Sequence, residues 1–471
     1  MNKKNSTLVM KFGGTSVGSI EAIDQAASIV VKNARRWRNL LVVVSAISGI
    51  TDMLLDTASH AVRGDSAWID QMALQVKERH FQMIDGLIAP SESKRRLKAE
   101  ISQLMDYFVN LNQAITVLGE ATPRALDAVS GIGERLCARI FSCVLKEKGV
   151  ASQHIEATRL IVTDEVYQAA HPDMELTRIK TNEIIKPLFA RGVIPVVTGF
   201  IAATKDGITT TLGRGGSDYT ASIMGAVLEA SDVWIWTDVD GVMSADPRLV
   251  VDAHSIPEFS FREIAELAYY GAKVVHPKTM RPVIDAGIGI RVCNTFNPDH
   301  PGTRLYLNSV SPKNGKIKAV TAIRDQSLVT IEGRGMLGVP GVAARAFSSV
   351  AATGTSVPLI TQASSEQSIC FAIPNSASVR VVRALEQAFA TELVRRDIDR
   401  IWAMDNVVIV TLVGSGMRDT PGVAGQIFGK LGEKQVNVLA IAQGSSEVSI
   451  SLVVDQGDAE RAVRALHELI V

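Results

Sequence analysis

Lys11 closes a short apolar run, Leu8-Val-Met, and is followed by Phe12-Gly-Gly-Thr-Ser-Val17. A cation, two glycines and two hydroxyls at the end of a buried strand are suited to holding phosphate. Gly13 and Gly14 let the main chain approach a phosphate with no Cβ in the way. The pattern predicts a helix over Ile20–Val31, whose N-terminus would face the same anion. Lys11 can then hold the oxygens that gain charge as a phosphoryl group moves. The same residues also suit a plain strand–turn–helix, because glycine is a common turn residue. The Walker A pattern, G-x-x-x-x-G-K-S/T, does not occur in the chain.

Further along, Thr209-Thr-Thr-Leu-Gly-Arg-Gly-Gly-Ser-Asp-Tyr-Thr220 forms a second glycine-rich turn, with Arg214 and Asp218 inside it. A small-residue helix (Ala221–Leu228) follows, then a buried strand, Val233-Trp-Ile-Trp236, that runs into Thr237-Asp238. Asp246-Pro-Arg248 and Gly271-Ala-Lys-Val-Val-His-Pro277 come next. Lys-Phe-Gly-Gly-Thr-Ser-Val, Leu-Gly-Arg-Gly-Gly-Ser-Asp-Tyr, Trp-Thr-Asp-Val and Gly-Ala-Lys-Val-Val-His-Pro, in this order, resemble the aspartate kinases of the amino-acid kinase superfamily. The resemblance covers nearly the whole chain.

The reaction this resemblance implies is ATP plus L-aspartate giving 4-phospho-L-aspartate and ADP, the first step toward lysine, threonine and methionine. A carboxylate nucleophile is already ionised at neutral pH, so no general base is required. Catalysis then consists of positioning and charge neutralisation around the phosphoryl group. ATP with Mg²⁺ is the implied donor, and no metal site made by the protein alone is expected. By resemblance, Lys11, Asp218 and Lys273 form the catalytic set. Asp218 would orient Lys11 or serve the outer shell of the Mg²⁺; it also suits the N-cap of a helix starting at 219. Lys273 would be a second phosphate cation, and a solvated surface lysine is its alternative. Lys11, Gly13, Gly14, Thr237, Asp238, Arg248 and Lys273 are expected on the nucleotide. Arg214 is suited to bidentate capture of the substrate carboxylate that does not react. Glu134, in Ser130-Gly-Ile-Gly-Glu-Arg135, would pair with the α-ammonium, and Thr51, Phe200 and Ser217 would complete the pocket. Glu134 beside Arg135 equally suits the surface of an ordinary helix. Met243 stands in Gly241-Val-Met-Ser-Ala245, where the family usually has a ring-packing tyrosine, which leaves the adenine side open. His276, before Pro277, reads as a turn residue.

The elements that must position these residues alternate. Strands are expected over Leu40–Ser45, Gln153–Ile155, Ile194–Gly199 and Val233–Trp236, and helices over Thr181–Arg191 and Asp218–Glu229. Residues 52–148 read as helical, with a break at Gly133 or Gly149. This predicts an α/β fold: an amino-acid-kinase-like, mostly parallel sheet with helices on both faces. Ligands in such sheets sit beyond the carboxyl ends of the strands, where every motif above falls. Between Asn294 and Lys318 the composition shifts to Asn, Pro, Gly, Ser and Lys, as in a linker. The expected division is a catalytic domain over 1–300, a linker over 301–325, and regulatory repeats over 326–404 and 405–471, with the C-terminal part available to complete the first repeat.

The repeats are internal. Gly335-Met-x-x-x-Pro340-Gly-Val-Ala343 returns as Gly416-Met-x-x-x-Pro421-Gly-Val-Ala424. Gln362-Ala-Ser-Ser-Glu366-Gln-Ser-Ile369 returns, at the same offset, as Gln443-Gly-Ser-Ser-Glu447-Val-Ser-Ile450. Each reads strand, loop, helix, strand, strand, helix, a ferredoxin-like unit. The pair resembles ACT domains, which bind amino acids in regulated enzymes. The Gln-x-Ser-Ser-Glu segments resemble the threonine-responsive aspartate kinases, so L-threonine rather than L-lysine is the expected inhibitor. Gln362, Gln443, Gly341 and Gly422 are its expected contacts. Pairing through these domains implies a homodimer or larger assembly. Gly333-Arg-Gly335-Met-Leu-Gly338 also matches a dinucleotide fingerprint, but the second repeat lacks the third glycine.

Composition narrows the classes further. With 49 basic and 49 acidic residues the net charge is zero, which gives no electrostatic footprint for nucleic acid or an anionic membrane. No apolar run reaches the ~18 residues of a membrane span. The start, Met1-Asn-Lys-Lys-Asn-Ser-Thr, has no signal or transit pattern. The four cysteines lack disulfide-framework spacing. A cytoplasmic enzyme is expected. The alternatives are another carboxylate kinase of the superfamily, or a catalytically silent amino-acid sensor on the same fold.

Overall fold

The computed structural model describes residues 6–271, 277–307, 316–336, 339–362, 367–443 and 448–470. The chain divides into two compact units. The first comprises Met1–Val242, Pro257–Phe261 and Val275–Asn308, and the second Met243–Ile256, Arg262–Val274 and Ser309–Val471.

The first unit contains β1 (Thr7–Phe12), β2 (Asn39–Val44), β3 (Ser152–Ile155), β4 (Val162–Thr163), β5 (Ile194–Thr198), β6 (Ile201–Thr204), β7 (Thr209–Thr211), β8 (Asp232–Thr237), β9 (Glu258–Ser260), β10 (Ile290–Asn294) and β11 (Thr303–Tyr306). Its eight-stranded sheet runs β3-β5-β2-β1-β8-β10-β11-β9. The strands from β3 to β10 in that order are mutually parallel, and β11 reverses against β10. Central strands covered on both faces read as continuous apolar runs, which is why Leu8-Val-Met and Asn39-Leu-Leu-Val-Val-Val are so legible. Leu8, Met10 and Phe12 enter one core with helices Ile20–Ala34 and Ile132–Glu147. On the opposite face lies helix Gly216–Val227, where a Cβ on Gly225 would come within 2.5 Å of Val233.

The expected all-helical stretch resolves into Ile50–Val62, Ser66–Leu87, Glu92–Leu118, Pro123–Ser130 and Ile132–Glu147. One break falls at Gly131, not Gly133, and the last helix ends at Glu147, just before the expected break at Gly149, which holds φ 79°. Gly133 serves close approach instead: a Cβ there would lie 2.7 Å from that of Ala46. Sequence reading missed the small sheet β4-β6-β7, whose strands are short and threonine-rich.

The second unit holds β12 (Ile317–Glu332), β13 (Leu359–Gln362), β14 (Ser368–Pro374), β15 (Arg400–Gly414), β16 (Ala440–Ala442) and β17 (Ser449–Asp455), ordered β13-β14-β12-β15-β17-β16. All pairings are antiparallel. Register shifts between Ile323 and Leu328 split β12 into two halves. The later half serves the first repeat. The earlier half, Ile317 to Ile323, pairs with Gly414 to Ile409 and completes the second. The segment 301–325 is therefore not a simple linker: it contains β11 and the strand that the second repeat lacks. Residues after 405 do not complete the first repeat, whose last strand is the start of β15. The dinucleotide-like glycines are packing residues, since a Cβ on Gly333 or Gly335 would lie within 2.5 Å of the Asp397–Ile398 backbone.

Candidate functional site

A cleft of about 640 Å³ opens in the first unit, lined by Ser45 and Ala46 just past β2, by Lys11 and Gly14 at the end of β1, and by Phe200 after β5. Thr51, Glu134, Arg214, Ser217 and Asp218 line the same cleft. Lys11 Nζ lies 2.6 Å from Asp218 Oδ1, with side chains only 11% and 19% exposed. The helix carrying Asp218 starts at Gly216 behind a left-handed Gly215, φ 71°. Asp218 therefore sits in the first turn and is not the N-cap, the alternative its position in the sequence allows. Gly13 N donates to Trp236 O at 3.1 Å, which ties the turn to β8. A Cβ on Gly13 would lie 3.4 Å from Lys11 Nζ, and one on Gly14 3.2 Å from Ala46 O. The floor beside the lysine is thus kept free of side chains.

Glu134 is 4% exposed, in the first turn of its helix. Oε1 accepts from Ala46 N at 3.2 Å, whereas Oε2 is buried with no partner among the described residues. Burial pushes its carboxyl up to about 7, opposed by the Ala46 N–H and by the charge of Lys11. It is not a surface residue; its neighbour Arg135 turns to Glu156 instead, at 3.4 Å. Arg214 is exposed and makes no hydrogen bond or ion pair with the described residues. Phe200 holds a left-handed backbone, φ 66°, an uncommon conformation for a non-glycine residue that clusters at functional sites. Its N–H donates to Thr220 Oγ1 at 3.1 Å. Ser217 packs against Gly199, where a Cβ would lie 2.6 Å from Ser217 Oγ. Thr51 opens helix Ile50–Val62, whose N-terminus has no side-chain cap. Asp127, which sequence reasoning did not single out, also lines the cleft.

Other expected residues lie elsewhere. Thr237 Oγ1 donates to Asp238 Oδ1 at 3.1 Å, and neither residue lines the cleft. Arg248 belongs to the second unit, held by Asp246 at 2.6 Å, and Met243 bridges to Ser255 in that unit. Lys273, His276, Glu366 and Glu447 lie outside the described residues. In the second unit, Gly341 and Gln362 line a cavity of about 380 Å³, and Gln362 and Gln443 line another of about 430 Å³. Gly341 and Gly422 start helices Val342–Ala352 and Val423–Glu433 at φ 89° and 91°, without side-chain caps.

Among the described residues, no group of three His, Cys, Asp or Glu side chains could hold a metal ion, and no helix is long and apolar enough to cross a membrane. Cys137, Cys143 and Cys293 are buried and Cys370 half-buried, all unpaired. Burial pushes the Cys293 thiol up to about 12 and Cys137 higher still, so neither supplies a thiolate at neutral pH.

Residues 6–294 match the model of the amino acid kinase family, and residues 329–389 and 410–469 match the ACT domain. The chain is 36% identical, over 99% of its length, to bifunctional aspartokinase/homoserine dehydrogenase 1, chloroplastic, of Arabidopsis thaliana, of which it covers 51%. It thus spans about half the length of several curated relatives that it matches. With lysine-sensitive aspartokinase 3 of Escherichia coli the identity is 32%, and 98% of each chain is covered. The crystal structure of E. coli aspartokinase III in complex with aspartate and ADP matches with a TM-score of 0.78 at 30% identity, covering 98% of this chain and 99% of that one.

Proposed function

The chain belongs to the aspartokinases of the amino acid kinase family, and we propose that it transfers the γ-phosphoryl group of ATP to the side-chain carboxylate of L-aspartate. The products are 4-phospho-L-aspartate and ADP. One observation carries this reading: a single cleft holds a buried carboxylate oxygen on Glu134 and a guanidinium on Arg214, both without a partner among the described residues, and the Lys11–Asp218 pair. These complement, in turn, the α-ammonium of aspartate, the carboxylate that does not react and the phosphoryl group of ATP, leaving the side-chain carboxylate free to attack. A similar aspartokinase has been crystallised with aspartate and ADP.

In this reading Arg214 takes the carboxylate that does not react and Glu134 the α-ammonium. Thr51, Phe200 and Ser217 shape the pocket. The side-chain carboxylate is then presented as the nucleophile, with Lys11 neutralising charge on the phosphoryl oxygens. Gly13 and Gly14 leave room for the nucleotide's phosphates, and Thr237 and Asp238 follow at the end of the adjacent strand. Lys273 is assigned a second phosphate contact on resemblance alone. Mg²⁺ would arrive with the nucleotide, held by phosphate oxygens, and supplies further charge neutralisation; Asp218 would face its hydration shell.

We further assign L-threonine as feedback inhibitor, acting through Gln362, Gln443, Gly341 and Gly422, and a homodimer or larger assembly through the ACT units. Gln-x-Ser-Ser-Glu in both repeats supports the choice of effector. The uncapped helix starts at Gly341 and Gly422 are suited to a carboxylate. Unpaired cysteines fit a reducing compartment, the cytoplasm. The test of the proposed activity is ADP release that depends on L-aspartate.

A further inference from the structure

Asp127 has no role in the reaction as proposed, yet it is a carboxylate only 1% exposed, midway along helix Pro123–Ser130. Its Oδ1 accepts from Thr211 Oγ1 at 2.8 Å and from Gln168 N at 3.1 Å. Oδ2 accepts from Thr211 N at 2.9 Å and from Gln168 N at 3.0 Å. Burying a carboxylate is costly unless its oxygens are filled, and here both are. Every donor belongs to the support of one turn. Thr211 is the last residue of β7, and Leu212-Gly213 leads from it directly to Arg214. Gln168 holds φ 69°, and a Cβ on Gly213 would lie 2.9 Å from Gln168 O. Leu212 N donates to Phe200 O, and Gly216 N to Gly213 O, both at 2.9 Å. The backbone on each side of Arg214 is thus fixed, while the Arg214 side chain has no partner among the described residues.

We propose that Asp127 is a positioning residue that sets the direction from which Arg214 reaches the substrate carboxylate. A misplacement of about 1 Å in such a clamp can cost 10²-fold in rate, so the base of the turn must be held firmly. A neutral amide at 127 keeps the shape and one acceptor oxygen for the Thr211 and Gln168 N–H groups, but it removes the charge and turns its Nδ2 donor toward Thr211 Oγ1, which must then accept instead of donate. The inference rests on the reading of Arg214 as the carboxylate clamp.

The experiment measures KM for L-aspartate and for ATP, kcat and melting temperature in Asp127→Asn, Thr211→Val and Arg214→Ala, and in each of the first two combined with Arg214→Ala. Asp127→Asn should raise KM for aspartate about tenfold, the scale of lost hydrogen bonds to a charged group, and leave KM for ATP within about twofold. Thr211→Val removes one donor and should raise KM for aspartate about threefold. In the Arg214→Ala background both effects should shrink below about twofold, because residues acting through one another are not additive. Equal effects in both backgrounds, or a lowered melting temperature with KM for aspartate unchanged, would overturn the proposal. Should Asp127→Asn not fold, Thr211→Val decides alone. If Arg214→Ala leaves KM for aspartate unchanged, the clamp reading fails and takes this inference with it. If Arg214→Ala raises it and neither Asp127→Asn nor Thr211→Val does, only the positioning role fails.

Discussion

Lys11, at the end of a central strand, and Asp218, in the first turn of helix Gly216–Val227, meet at 2.6 Å in the floor of the cleft. The two motifs are far apart in sequence, and β1 and the helix that follows the second glycine-rich turn bring them together. The aspartate fixes the direction of an ammonium that lines the cleft but is largely withdrawn from water.

Lys11→Ala and Asp218→Ala should each lower kcat by roughly 10²-fold or more, the scale of losing a preorganised charge at a transition state. KM for aspartate should change little, because neither residue belongs to the proposed substrate clamp. Steady-state kinetics with aspartate varied at saturating ATP checks this. A kcat in Lys11→Ala close to that of the unaltered protein would remove Lys11 from the phosphoryl site.

Arg214→Lys should raise KM for aspartate by an amount worth about 1.5–3 kcal/mol, the range for hydrogen bonds to charged groups. A point charge does not replace a planar fork. If KM rises for ATP and not for aspartate, the carboxylate clamp lies elsewhere.

Glu134 should make both binding and stability depend on pH. Burial holds its carboxyl at about 7, above its ordinary 4.5, so the protonated form is favoured in the ligand-free fold. The stabilisation this gives is fully present below 4.5 and is lost as pH rises through 7, roughly 3 kcal/mol in all. Urea titrations of the ligand-free protein should therefore show it losing stability relative to Glu134→Gln between pH 5 and pH 8. Aspartate binding has the opposite preference, because an ammonium requires the carboxylate. KM for aspartate should climb about tenfold per pH unit below 7, and Glu134→Gln should flatten that climb. Parallel pH dependence in the two proteins would place the titrating group elsewhere.

Much of this is legible in the sequence, for particular reasons. Buried parallel strands are apolar along their whole length, so β1, β2 and β8 announced themselves, and the glycines that follow marked the cleft. The two regulatory repeats shared their loop motifs. What the sequence does not reveal depends on contacts between distant segments. Asp127 lies among Leu126 and Ala128 with no telling spacing; only the fold brings Thr211 and Gln168 to it. The strand completing the second repeat precedes the first, and its neighbourhood of Pro, Gly, Ser and Lys reads as a linker. Arg248 and Met243 follow Thr237-Asp238 closely in sequence yet fall in the second unit. Glu134 read equally well as a surface residue, because one acidic residue in a helical pattern does not reveal which face is buried.

L-Threonine should inhibit the kinase and L-lysine should not, with Gln362→Ala and Gln443→Ala each less sensitive to threonine. An effector shifts a conformational balance only by its difference in affinity for the two states, so basal activity should survive both substitutions. Sedimentation of the same samples should give a dimer or larger, because the ACT sheet leaves the edges of β13 and β16 unpaired by other described strands. Strong inhibition by lysine alone, or a single species near 50.6 kDa at micromolar concentration, would contradict these assignments.

The most direct test is coupled ADP release with ATP and Mg²⁺, run with L-aspartate, with L-glutamate and with no acceptor, using Lys11→Ala as the blank. The account predicts turnover with L-aspartate, little with L-glutamate, a baseline without acceptor and near-baseline rates in Lys11→Ala. Folded protein that releases no ADP in the presence of L-aspartate, or turns over L-glutamate in preference, would contradict it.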